Sequence, residues 1–117
     1  MSEEEIREFV RRFYEALDAG DAETASALFP DGTVIYLWDG KTFHTREEFR
    51  AWFVELRSKS ENAKRHVVSL RVDGNVADVE VVLDADINGE KKTVKLRHEF
   101  RFEGDRLVEV RVEIEPL

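Results

Sequence analysis

Apolar residues fall at helical spacing near the start of the chain and on alternate positions from Arg65 to its end, a pattern that predicts helices first and a sheet last. Ile6, Phe9, Val10, Phe13, Tyr14 and Leu17 line one face of a first helix, which Ser2 and Glu5 open as a capping box and Gly20 closes. Asp21 can cap a shorter second helix carrying Ala22, Ala25, Leu28 and Phe29, ended by Pro30-Asp31-Gly32. A strand from Thr33 to Trp38 then turns at Asp39-Gly40 into a short return strand around Lys41 to Phe43. Thr45 and Glu48 repeat the capping box ahead of a third helix marked by Phe49, Trp52, Phe53 and Leu56. Strands near 65–73, 76–86, 90–102 and 107–115 follow, separated by the hairpin turns Asp73-Gly74-Asn75, Asn88-Gly89 and Gly104-Asp105.

Four long strands on so few helices cannot form one flat layer, so a strongly curved sheet must wrap around the helices. The expected fold is α+β: three helices packed against a strongly curved, mainly antiparallel six-stranded sheet in the order ααββαββββ. With 117 residues and no linker, repeat or low-complexity tract, the chain reads as a single domain over 1–117. The cone so formed has an apolar mouth between the first helix and the concave sheet face, a natural place for a small ligand.

Charge narrows the partners. The formal net charge is -8, which disfavours nucleic acid and anionic membrane as partners, because phosphate binding needs clustered Lys and Arg. The absence of Cys excludes a disulfide framework, a thiol nucleophile and a thiolate metal site. No apolar run approaches transmembrane length and the acidic start shows no targeting signal, so a soluble protein is expected, cytoplasmic when expressed recombinantly. The charged outer set Arg97, Glu99, Arg101, Glu109, Arg111 and Glu113 favours a monomer.

Candidate chemistry begins at His98. Lys92, Val94, Leu96, His98, Phe100 and Phe102 share one strand face, which lodges an imidazole among apolar side chains. Tyr14 and Asp18, one turn apart at the margin of the first helix's stripe, can meet it, and Arg65 is a further polar group within reach of the same interior. Each has a plain structural reading: a satisfied core histidine, a core tyrosine with its hydroxyl bonded, a solvated aspartate beside Arg7 or Arg11. Asp18 argues for an outside partner, since a carboxylate in the last turn of a helix opposes the dipole. Strict alternation sets Arg65 and Val67 outside with Leu70 and Val72 inside, so a bulge between Val67 and Leu70 is required for Arg65 and Val67 to face the cavity. His66 and His44 then lie on the surface, and no histidine pair has ligand spacing with a carboxylate, so no metal site is expected. The aromatic-rich wall expected around a flat multi-ring ligand comprises Phe13, Leu17, Ile35, Leu37, Trp38, Trp52, Phe53, Val81, Leu83, Leu96, Phe100 and Val110.

The element order resembles the nuclear-transport-factor-2-like (NTF2-like), or cystatin-like cone, family across the whole chain. The segments Met1–Arg7, Arg11–Asp18, Leu37–Gly40 and Arg46–Arg50 sharpen this to a resemblance to de novo designed NTF2-like luciferases, without a gap nearly end to end. Repeated capping boxes and tidy turns fit a designed origin. The resemblance implies Tyr14, Asp18, Arg65 and His98 as catalytic residues acting on a small-molecule luciferin of the coelenterazine type, an imidazopyrazinone. Its oxidation by molecular oxygen, the co-substrate, needs no other cofactor, and an excited amide emits light after carbon dioxide is lost. Against that group's pattern, Glu80, Asp84 and Glu113 replace histidines and Phe100 replaces an indole, which leaves the luciferin substituents open. Two other classes stand beside it: an acid–base isomerase or hydrolase on the same cone, and a non-catalytic small-molecule-binding scaffold. Arg65 separates the first from the luciferase, because a guanidinium partner holds a carboxylate ionised rather than free to shuttle protons.

Overall fold

The computed structural model describes residues 1–115. Helix α1 (Glu3–Asp18) starts where Ser2 Oγ accepts from the Glu5 amide and the Glu5 carboxylate accepts from the Ser2 amide. It ends in a Schellman turn: the Gly20 amide donates to the Leu17 carbonyl, the Asp21 amide donates to the Ala16 carbonyl, and Gly20 takes φ +69. Asp21 then caps the short helix α2 (Ala22–Ala27), and Thr45 caps α3 (Arg46–Ser58). Between them lie β1 (Val34–Tyr36) and β2 (Thr42–Phe43), shorter than the alternation suggested.

The remaining chain forms β3 (Ser60–Asp73), β4 (Val76–Ile87), β5 (Glu90–Glu103) and β6 (Arg106–Glu115). Six strands join in the order β2-β1-β6-β5-β4-β3, all antiparallel except the β1–β6 pair, which aligns Ile35 with Val110. Strand β3 begins five residues earlier than the periodicity indicates, because Ser60 and Glu61 pair with Ile87 and Asp86 before an irregularity at Asn62 and Ala63. Asn62 there takes φ +54, a left-handed conformation that asparagine tolerates.

A second register shift falls between Val67 and Ser69, so Val68 is the extra residue of the expected bulge. Before it Arg65 and Val67 oppose Leu83 and Val81; after it Leu70 and Val72 oppose Val79 and Ala77. One inserted residue therefore turns Arg65 inward while leaving Leu70 and Val72 packed on the core. Val67 differs from expectation: it shares Arg65's face but lies beyond the cavity, 49% exposed beside α1.

The core sits between α1, α3 and the concave face of the sheet. Phe100, wholly buried, meets Phe9, Phe13 and Tyr14 edge to face and His98 in a stacked contact. Such aromatic pairs add about 0.5–1.5 kcal/mol each beyond the area they bury. On the convex face, Arg97 pairs with Asp78, and Lys95 with Glu80 and Glu115, so opposite charges meet across neighbouring strands there, even though Asp78 stands opposite Glu99. Replacing Phe100 by Ala removes four ring contacts and leaves a void that the flanking strands cannot close. The expected loss is about 3–5 kcal/mol of unfolding free energy, read as a lowered urea midpoint with unchanged slope.

Candidate active site

A cavity of about 200 Å³ opens between α1, α3 and the concave sheet face. Ten of the twelve expected wall residues line it: Phe13, Leu17, Ile35, Leu37, Trp38, Trp52, Phe53, Leu83, Leu96 and Val110. Val81 and Phe100 do not, because both are fully buried in the packed layer beside it. The cavity also takes in Phe29, Phe49, Leu56, Ile87, Val94, Val112 and Ile114, which sequence reasoning passed over. Parity was the available signal for two strands, since Val94 alternates with Leu96 and His98, and Val112 and Ile114 with Val110. Trp38 and Ile114, each nearly half exposed, mark its rim, with the Trp38 ring edge-on to Trp52 at 6.3 Å.

Two polar side chains face this apolar space, His98 and Arg65. Each is held from behind by α1. The Tyr14 hydroxyl lies 3.0 Å from His98 Nδ1, a buried contact between groups 84 residues apart in the chain. Either tautomer satisfies it: the tyrosine donates and leaves Nε2–H free, or Nδ1–H donates and leaves an Nε2 lone pair free. Asp18, one turn after Tyr14, accepts from the Arg65 backbone amide at 3.1 and 3.2 Å and from a terminal guanidinium nitrogen at 2.9 Å. The carboxylate is 28% exposed and the guanidinium only 7%, so the ion pair runs from solvent inward. Arg65 Nε is buried and has no partner, a free donor in a water-poor setting. The structure thus brings all four expected residues together, two in the cavity wall and two behind it. His44 and His66 are exposed, with His66 3.5 Å from Asp84. Among the described residues no cluster of His, Asp or Glu is placed to hold a metal ion.

Burial sets the protonation of the pair. It pushes His98 from its ordinary 6.5 down to about 3, with the Arg65 charge acting in the same direction. It drives Tyr14 well above its ordinary range, partly offset by Arg65. Arg65 is lowered chiefly by burial, against which its hydrogen bond to Asp18 acts. It keeps its charge, since a guanidinium is not deprotonated in proteins. At neutral pH the site therefore holds a neutral imidazole, a neutral phenol and one cation.

A folded pKa below the unfolded one means that the unfolded chain takes the proton first. Stability owed to neutral His98 is fully present above pH 6.5 and is lost as pH falls from 6.5 toward about 3. Unfolding free energy should fall there by up to about 1.4 kcal/mol per pH unit on account of this group, and His98→Phe should remove that share of the slope. Urea titrations at a series of pH values measure both.

The described residues contain no helix long and apolar enough to cross a membrane. No curated protein matches the chain. Among solved structures, a de novo designed protein with curved β-sheet is 26% identical, covering 99% of this chain and 89% of its own at a TM-score of 0.75. A protein with ketosteroid isomerase-like fold from Catenulispora acidiphila DSM 44928, in complex with trimethylamine, is 18% identical, covering 90% and 83% at 0.82. An LEH-like epoxide hydrolase from M. tuberculosis is 15% identical, covering 92% and 80% at 0.77. The fold is the NTF2-like cone that the element order resembled. A model of the SnoaL-like domain matches residues 10–110, all but the ends of the chain, and the protein belongs to the SnoaL-like domain family.

Proposed function

We propose that the protein is a designed, cofactor-independent luciferase that oxidises a coelenterazine-type imidazopyrazinone with molecular oxygen. The observation that carries this reading is a buried cation, Arg65, in the wall of an apolar cavity. The reactive form of such a luciferin is its anion. A preorganised guanidinium stabilises developing negative charge far better in a dry pocket than in water. The reaction needs little else from the protein: oxygen adds to the anion, one oxygen atom leaves in carbon dioxide, and the other stays in the excited amide.

Asp18 fixes Arg65 by three contacts and so acts as its positioning residue. Tyr14 fixes the His98 ring, whose Nε2 is then available to the guest's carbonyl oxygen or to its departing proton. The cavity of about 200 Å³ is smaller than the ~300–1,000 Å³ typical of drug-sized sites, so it suits the ring core of the luciferin with substituents at the rim beside Trp38 and Ile114. An acid–base reading of the kind the epoxide hydrolase neighbour suggests needs a free carboxylate facing the guest. Asp18 lies outside the cavity lining and is committed to Arg65.

Mixing the protein with an imidazopyrazinone in air should give light well above buffer; emission equal to buffer would remove the luciferase reading. Arg65→Ala, Asp18→Ala and His98→Ala should each lower emission at least about tenfold, equivalent to ~1.4 kcal/mol of barrier, with circular dichroism unchanged. Unaltered light from all three would show that these roles are wrongly assigned.

A further inference from the structure

Tyr14 and Asp18 do more than stand behind the cavity wall. They line a second, solvent-facing groove between α1 and β3, whose other walls include Val10, Arg11, Val67 and Leu70. His98 lines the cavity and not the groove; Tyr14 lines the groove and not the cavity; Arg65 lines both. The two spaces are therefore separated by two side-chain contacts only one helical turn apart, Tyr14 to His98 and Asp18 to Arg65.

We propose that the groove is the cavity's proton port, so that a proton given up by a guest in the cavity leaves through His98 and Tyr14 into groove water rather than through the rim at Trp38. This rests on the reading that the guest's acidic position faces His98. In the transfer, the guest's bond to hydrogen breaks and His98 Nε2–H forms. His98 Nδ1–H passes to the Tyr14 oxygen, and the original Tyr14 hydroxyl proton goes to water. The imidazole ends in its other tautomer and no charge stays on either ring. Burial disfavours both imidazolium and phenolate here, so the pair can hand a proton on but cannot store one, and an acceptor beyond Tyr14 is required. A guest that fills the rim strengthens the need, because the opening between Trp38 and Ile114 is then closed to water.

The test reads exchange of the Tyr14 hydroxyl proton, through the deuterium isotope shift on its ring Cζ in mixed light and heavy water, and needs no light emission. Val67, half exposed in the groove and absent from the cavity lining, is the position to change. Val67→Phe, which narrows the groove, should slow exchange at least tenfold, and Val67→Ala should speed it. Ile114→Trp, which narrows the rim, should leave it unchanged. Exchange slowed by Ile114→Trp and indifferent to both Val67 variants would overturn the port. Should Val67→Phe fail to fold, Val67→Ala against Ile114→Trp decides alone. A protein that emits no light but shows this exchange pattern loses the luciferase reading and keeps the port; the converse pattern does the opposite.

Discussion

The contact between Asp18 and Arg65 is the constraint on which the site depends. A carboxylate in the last turn of α1 and a guanidinium turned inward from a strand would each be costly alone: one opposes the helix dipole, the other gives up its hydration. Together they tie the end of α1 to β3, through the backbone amide as well as the guanidinium. Removing one partner of a buried pair costs about 3–5 kcal/mol, and the partial exposure of Asp18 places this one toward the lower end. That tie also sets the distance at which Tyr14, one turn earlier, meets His98.

What surrounds the pair explains why its charge remains useful. Nearly every other ion pair lies on the outer surface, such as Arg7 with Glu3 and Lys59 with Glu55, where such contacts contribute about 0–1 kcal/mol and are screened by salt. Inside, the cavity walls are aliphatic and aromatic, and among the described residues the one other titratable side chain in them, His98, is neutral. An anionic guest thus meets one cation and no buried negative charge on the cavity side. The chain's net charge of -8 is spread over the exterior and does not describe the field inside.

The aromatic layer beside the cavity serves both stability and geometry. Phe100 carries no wall of its own, yet it packs against Phe13 and Tyr14 from α1 and stacks on His98, fixing both members of the hydrogen-bonded pair. Packing at crystal-like density leaves these rings little freedom, so a change of ring at position 100 alters the site without touching a guest.

Much of the fold was legible because its signals are local. The capping box at Ser2, the Thr45 side-chain cap, where the Glu48 carboxylate reaches the His44 amide and not that of Thr45, the glycine after α1 and the glycine-bearing hairpin turns each act within a few residues, and α1, α3 and the four long strands follow from them. His98 was legible too, since strand parity alone sets it among Leu96 and Phe100. Residues 60–64 carry no alternation, and their place in β3 comes from pairing with β4 across the sheet. Parity taken alone would have pointed Arg65 outward; a bulge between Val67 and Leu70 was expected because the resemblance implied Arg65 in the cavity, and it is realised at Val68 in the register between β3 and β4. Which apolar side chains fill the core and which border empty space was decided only in three dimensions, as Val81 and Phe100 on one side and Ile87 and Ile114 on the other demonstrate. Local spacing fixes the face on which a side chain points, but a cavity is a volume left between α1, α3 and a curved sheet, and no single segment of the chain encodes it.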